Sequence, residues 1–264
     1  MSTSEPAAST ERTEPEEATE PSEPSHPGEP ERAGRLGPRA RNRIALEADI
    51  LRVAREHLAT SGAAALSLRA IARDLGMVSS GIYRYVESRD ELLTRLIVDG
   101  YTSLAAAVSR AHDAVDDADL GGRWEAVAHA LRAWSLEHPH DFALLYGSPV
   151  PDYRAPADRT SEPGTAVLAL VTGIVDAAVR VGRGPRPAPA LDRLAGPAVG
   201  GFLADDFFAG TAIDAGALAQ GLSAWTLLLG AVTSELFDQL GPVPDAEALF
   251  AWHVAVSRRL VVAD

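Results

Sequence analysis

The sequence predicts an all-α chain in two helical parts, a short basic one followed by a larger acidic one. Three observations predict it. Apolar residues recur at three- and four-residue steps in nearly every segment after residue 46, the mark of amphipathic helices. No segment sustains the strict alternation of a half-buried strand. Joints rich in proline, glycine and charge separate the helical segments, at 147–163 and 182–189.

Charge divides the chain in the same way. Of 264 residues 24 are basic and 37 acidic, and the net of −13 argues against coating nucleic acid or anionic lipid by bulk electrostatics. Residues 1–31 hold nine glutamates and one arginine among Pro, Ser and Thr; with almost nothing to bury they are expected to be disordered. Residues 32–101 are net +4 and the remainder net −9, so the middle stretch is the place to look for a nucleic-acid surface. Every basic residue is arginine and Asn42 is the single asparagine, which reads as the codon bias of a GC-rich genome. The absence of cysteine excludes disulfides, thiol nucleophiles and Cys-ligated zinc. The longest mostly apolar run, Leu222 to Thr233, is broken by Ser223, Thr226 and Gly230 and is short for a bilayer. The chain opens without a charged-then-apolar leader, so a cytoplasmic location and no membrane contact are expected.

The elements follow in order. Ile50, Leu51, Val53, Ala54 and Leu58 define a first amphipathic helix over 46–61, ended by Ser61-Gly62. Ser67 can cap a short second helix whose face is Leu68, Ile71, Ala72 and Leu75. Gly76 supplies the turn, where a left-handed backbone is tolerated. A third short helix runs over Ser79 to Tyr85, and Ser88 to Glu91 reads as a capping box opening a fourth through Leu92, Leu93, Leu96 and Ile97. Two short helices across a tight Gly turn, with small Ala72 where they cross, form a helix-turn-helix pattern.

In the third helix Ile82 and Val86 are the core-facing pair. Ser79, Ser80, Gly81, Tyr83, Arg84 and Tyr85 are left to face outward. Small residues at a helix start allow close approach to a groove, and free N–H groups there favour phosphate. Tyrosine hydroxyls can bond phosphate and an arginine can bond a guanine edge bidentately. The plainer alternative is a solvated helix whose tyrosines pack on the first helix. Upstream, Arg32, Arg35, Arg39, Arg41 and Arg43 recur beside Gly34, Gly37 and Pro38. They form either a solvated linker or a flexible arm for an adjacent minor groove.

The stretch Ala45 to Tyr101 resembles the DNA-binding domain of the TetR family of transcriptional regulators. The likeness is carried by Ile71 to Gly76, Ser79 to Val86 and Ser88 to Leu93. It implies a double-stranded DNA operator as partner, with Ser67 and Arg69 near phosphate or a flanking base. Val78, Ser79, Ser80 and Gly81 would read base edges. Tyr83 would contact phosphate, Tyr85 would lie near the backbone, and Arg84 stands at a variable position. Arg89 replaces the family's usual lysine, keeping the charge on a broader, forked donor.

Helical spacing continues around 102–115, 123–138, 165–181, 190–209, 214–240 and 245–262, an all-α second part. Trp124, Leu131, Trp134, Phe142 and Tyr146 form an aromatic-rich set that could line a small-molecule pocket or build an ordinary core. Phe202, Phe207 and Trp225 are further pocket candidates. His138, His140 and Asp141 match no metal-ligand spacing, and neither metal nor cofactor is expected. The segment Trp134 to Tyr153, with His138-Pro139, Phe142, Tyr146-Gly147, Pro149 and Pro151, is similar to the WHG-type C-terminal domain of a subset of TetR-like regulators. That resemblance implies an effector-binding and dimerisation domain for an unnamed small molecule.

The last two helices carry apolar residues beyond the width needed for one neighbour. Leu218, Leu222, Trp225, Leu228, Leu229, Val232, Leu236 and Leu240 run along the first, and Leu249, Phe250, Trp252, His253, Val256 and Leu260 along the second. An internal five-helix core is one reading; the family's four-helix dimer interface is the other, with Leu222, Trp225, Leu229, Leu236, Phe250 and His253 at the contact. The domains expected are a tail over 1–40, a helix-turn-helix domain over 41–101 and an effector and dimerisation domain over 102–264. The function expected is a homodimeric, ligand-responsive repressor and not an enzyme. The alternatives are an activator, or a regulator whose larger domain binds a protein. Asp205-Asp206 is the one paired-carboxylate candidate for catalysis, without a nameable partner. Tyr83→Phe or Arg89→Ala is expected to weaken DNA binding, and Leu228→Arg to break the dimer.

Overall fold

The computed structural model describes residues 37–263. The acidic segment 1–31, Arg32 and Arg35 lie outside the described residues. Within them the chain forms ten α-helices, three short 3₁₀ turns and no strand. The order is α1 (Pro38–Ser61), α2 (Leu68–Asp74), α3 (Ser79–Ile82), α4 (Arg89–Asp113), α5 (Leu120–Glu137), α6 (Pro139–Tyr146), α7 (Ala157–Arg180), α8 (Pro189–Val199), α9 (Ala215–Leu236) and α10 (Ala246–Arg259).

Two hydrophobic clusters form, joined by one helix. In the first, Ile50, Val53, Ala54 and Leu58 of α1 close on Ile71 and Ala72 of α2, on Ile82 and Val86, and on Leu92, Leu93 and Leu96 of α4. In the second, Leu104 and Val108 of the same α4 pack with α5, α7, α9 and α10 around Trp124, Leu131 and Phe142. At 1.5 Å per residue α4 is about 37 Å long, so one rigid element spans both clusters. Each buried aliphatic side chain contributes about 1.5–3 kcal/mol. The clusters therefore each hold their own helices together.

Helix boundaries depart from the periodicity where polar residues hide it. α1 begins at Pro38, eight residues before the apolar pattern starts, because proline at the first helical position is preorganised and Arg43 pairs with Glu47 one turn on. Arg39, Arg41 and Arg43 therefore stand on a helix, not on a flexible arm. α7 begins at Ala157 inside the expected 147–163 joint and runs through Pro163. Its first turn is held by Arg159 on Glu91 of α4 and by Thr160 Oγ1 donating to Pro156 O, so one tertiary and one local link offset the hydrogen bond that proline removes. α8 stops at Val199 before Gly200-Gly201, and two 3₁₀ turns replace the rest of the expected 190–209 helix.

By length and composition α7 and α9 could each cross a membrane; the apolar run 222–233 is only part of the 22-residue α9. In this fold both pack into the second cluster, α7 on α4 and α5, α9 on α7, α8 and α10.

Candidate nucleic-acid interface and effector region

The turn between α2 and α3 follows from one glycine. Gly76 sits at φ +66°, a conformation that costs a Cβ-bearing residue, and lets Met77 N–H donate to Ala72 O at 2.8 Å. α3 then emerges with Ile82 and Val86 buried. Val78, Ser79, Ser80, Tyr83 and Arg84 lie exposed on its other side, with Arg69 exposed at the start of α2. The helical hydrogen bonds end at Ile82, and Tyr83 to Tyr85 continue as turns. Among the described residues, Ser67, Arg69, Ser79, Ser80, Tyr83 and Arg84 have side chains that make no hydrogen bond or ion pair. Their donors are available to phosphate and base edges.

Three residues of the same set are engaged within the protein. Gly81 is buried under its own turn. Tyr85 is half-buried, with the Arg43 guanidinium 5.6 Å from its ring centroid, so it packs on α1. Arg89 donates through Nη2 to Ala63 O at 3.0 Å and Ala64 O at 3.3 Å. It staples the α1–α2 connection, so part of the Arg89 guanidinium is engaged within the protein.

Polar links tie the first cluster to the second. Arg55 of α1 bridges to Asp99 of α4 and to Asp141 of α6, the latter at 3.2 Å. Burial works against the Arg55 charge, yet Asp141 and Asp99 more than compensate and hold its pKa above the usual value. Glu91 was expected to complete the capping box. Ser88 Oγ does accept from Glu91 N–H at 3.0 Å, but the Glu91 carboxylate turns away to Arg159 at 2.5 Å and Arg95 at 2.7 Å. The Arg159 hydrogen bond leads in drawing the Glu91 pKa below the usual carboxylate range. Tyr153 OH meets Thr94 Oγ1 at 2.9 Å. Sequence reasoning missed Arg55, Thr94, Tyr153 and Arg159, whose partners lie 44 to 86 residues away; no local pattern marks them.

The aromatic set of the larger part divides. Trp124, Leu131 and Phe142 are fully buried, and Trp124 Nε1 donates to Ser257 Oγ at 2.9 Å inside the core. Trp134 is also buried, donating to Ser103 Oγ at 3.0 Å with His138 packed 5.1 Å from its ring. These four pack into the core and border none of the clefts described below. Tyr146 borders the cleft between the end of α1 and α6. Asp205 caps a 3₁₀ turn through Phe207 N–H, and Asp141 is occupied by Arg55. Phe202 is exposed and Phe207 stacks edge-on against Phe208.

Several clefts open among the described residues, and three of them touch expected site residues or the α6–α7 connection. One of about 960 Å³ lies between α9 and α10 and includes Leu222, Phe250 and His253 of the expected interface, although Phe250 is itself buried. Trp225, Leu229 and Leu236 are half-buried against the protomer's own core, outside this cleft. Leu228 is fully buried, so Leu228→Arg would damage the core and cannot report on pairing. A second cleft, of about 710 Å³, separates the end of α1 from α6 and the end of α9. A third, of about 490 Å³, lies between α4, the 147–155 connection and the start of α7.

A helix-turn-helix head carried on an all-helical body defines a DNA-binding transcriptional regulator. The sequence profile described as "Bacterial regulatory proteins, tetR family" matches residues 50–96, and "Tetracyclin repressor-like, C-terminal domain" matches 124–257. The chain is 41% identical over 213 residues to HTH-type transcriptional regulator Rv1816 of Mycobacterium tuberculosis, covering 78% of this chain and 87% of that one; Mb1846 of Mycobacterium bovis matches to the same extent. The solved structure of regulatory protein SCO4313 superposes with a TM-score of 0.68 at 33% identity, over 84% of this chain and 98% of that one. A protein of unknown function from Rhodococcus sp. RHA1, 22% identical with a TM-score of 0.62, shares the fold over 89% of this chain and all of its own. The chain belongs to the TetR family: it is a transcriptional regulator and not an enzyme.

Proposed function

We propose that the protein is a homodimeric repressor, released from a palindromic operator when a small molecule enters its larger domain. The domains are a helix-turn-helix head over 41–101 and an effector and dimerisation domain over 102–264. The observation that carries the reading is the uncommitted face of the head: Arg69, Ser79, Ser80, Tyr83 and Arg84 keep their hydrogen-bonding groups unspent beside a core that is otherwise well satisfied. Ser79 and Ser80 approach the base edges, Arg84 bonds a purine edge, and Tyr83 and Arg69 hold phosphate. Two such heads, set by a two-fold axis, read half-sites one helical turn apart.

The α9–α10 face supports the pairing. Its cleft is open and largely apolar, and exposed Ser223, Thr226 and Gly230 along α9 allow a second helix to approach closely. A protein with these parts works in the cytoplasm, where its DNA is. An effector acts by binding one head spacing better than the other, and coupling of about 1–3 kcal/mol changes operator affinity about 5–150-fold.

The test is fluorescence anisotropy on DNA flanking the protein's own gene, in a salt series with scrambled competitor. Tight, salt-dependent binding that survives competitor is expected. Equal loss to scrambled DNA, there and on duplexes selected from a random pool, would refute sequence-specific binding.

A further inference from the structure

We propose that the cleft between α4, the 147–155 connection and α7 is the effector site, and that it takes an uncharged, largely apolar molecule bearing a hydrogen-bond acceptor oxygen such as a ketone. This rests on the ligand-responsive reading above. None of the side chains lining this cleft is charged or an imidazole, whereas the α9–α10 cleft presents Glu235, Asp238 and His253 and the α1–α6 cleft presents His140. An ion entering the third cleft would give up part of its water and find no counter-charge among the lining side chains. Ile97, Leu144, Leu145 and Val150 supply the apolar wall. The volume of about 490 Å³ falls within the range of small-molecule sites.

The hydroxyls give the acceptor requirement. Tyr101 borders the cleft and its OH makes no hydrogen bond among the described residues; burial raises its pKa, so it stays a neutral O–H donor. Tyr153 borders it too, bonded to Thr94 at 2.9 Å. Thr94 Oγ1 also donates its one hydrogen to Asp90 O at 2.9 Å, so in the Tyr153 bond the tyrosine is the donor and Thr94 the acceptor. An acceptor oxygen in the cleft competes with Thr94 for that proton. When it wins, α4 loses its tie to the 147–155 connection within a turn of Glu91, which Arg159 of α7 holds. The ligand thereby favours a state in which the head is less firmly placed, as differential binding requires.

The test uses the full chain and three probes of one skeleton: 2-acetylnaphthalene, 2-naphthoate and 2-isopropylnaphthalene. Binding is read by calorimetry, and DNA affinity by anisotropy on a duplex that the wild-type protein selects from a random pool. The ketone is expected to bind at least tenfold tighter than the anion or the hydrocarbon, and to weaken DNA binding at least fivefold. Gly164→Leu, whose Cβ would start 3.4 Å from the Tyr101 ring, fills the cleft and should abolish ketone binding with helical content and Tm unchanged. Tyr153→Phe should reduce the preference for ketone over hydrocarbon, and Tyr101→Phe together with Tyr153→Phe should erase it. Thr94→Val should keep ketone binding and lose the DNA response. Equal binding of the anion or hydrocarbon, ketone binding that survives Gly164→Leu, or no binding of any probe would overturn the assignment. In those cases release of DNA by some other molecule still upholds the ligand-responsive reading. Ketone binding as expected with no effect on DNA upholds the cleft and its ligand class and overturns the ligand-released mechanism.

Discussion

Single side chains in this protein divide sharply between those that close a core and those left for a partner. Trp124 closes one: fully buried, with its indole N–H on Ser257, it joins α5 to α10. Trp124→Ala should cost about 3–5 kcal/mol in urea unfolding, the range for removing a large aromatic. Ser257→Ala should cost about 1–3 kcal/mol by leaving the indole donor unpaired in the core. Arg69, Arg84 and Arg89 look alike in sequence but belong to different classes. Arg84→Ala should lose about 1–3 kcal/mol of binding to the selected duplex and relax its preference at one base position. Arg69→Ala should weaken all duplexes alike and lower the salt slope by about 1. Arg89→Ala, which frees the carbonyls of Ala63 and Ala64, should lower the Tm of the head; an unchanged Tm with reduced DNA affinity would point to a phosphate contact instead.

Between elements, the polar links decide how the head rides on the body. Asp141 is buried at the start of α6 and relies on Arg55 of α1 for its counter-charge. Arg55→Met should cost about 1–3 kcal/mol, less than the roughly 3–5 kcal/mol of a fully buried pair because Arg55 is partly open to water. Glu91 makes a second link pH-sensitive. Its carboxyl is held below its unfolded value by Arg159 and Arg95, so the folded state gains stability that is fully present above the ordinary glutamate pKa of about 4.3. That stability is lost as pH falls below it through the folded value. Acid unfolding of Glu91→Gln should therefore depend less on pH below about 4.3 than that of wild type. Parallel curves for the two proteins would remove the link.

On the scale of the whole molecule, the proposed pairing of two copies falls on the face formed by α9 and α10. Thr226 is exposed at the α9–α10 cleft, so Thr226→Arg should leave the fold intact and, being present twice across a two-fold axis, separate the protomers in sedimentation. A dimer that withstands it would refute the interface. Much of the architecture was legible in the residues themselves. The helical periods, the Gly76 turn, the Ile82 and Val86 pair and the Ser88 cap are all local, and hydrogen-bonding and steric rules act within one turn of chain. By itself the sequence determined an all-α chain with a basic helix-turn-helix near its start and an acidic helical remainder. Only the tertiary structure decided that Arg89 serves a loop, that Glu91 answers Arg159, that Trp124, Leu131 and Phe142 fill the core, and that an uncharged cleft opens beside Tyr101 and Tyr153. Periodicity tells which face of a helix is buried. It carries no information on which distant side chain will meet that face, because the partner is chosen when helices far apart in sequence pack and every buried donor and charge must be matched.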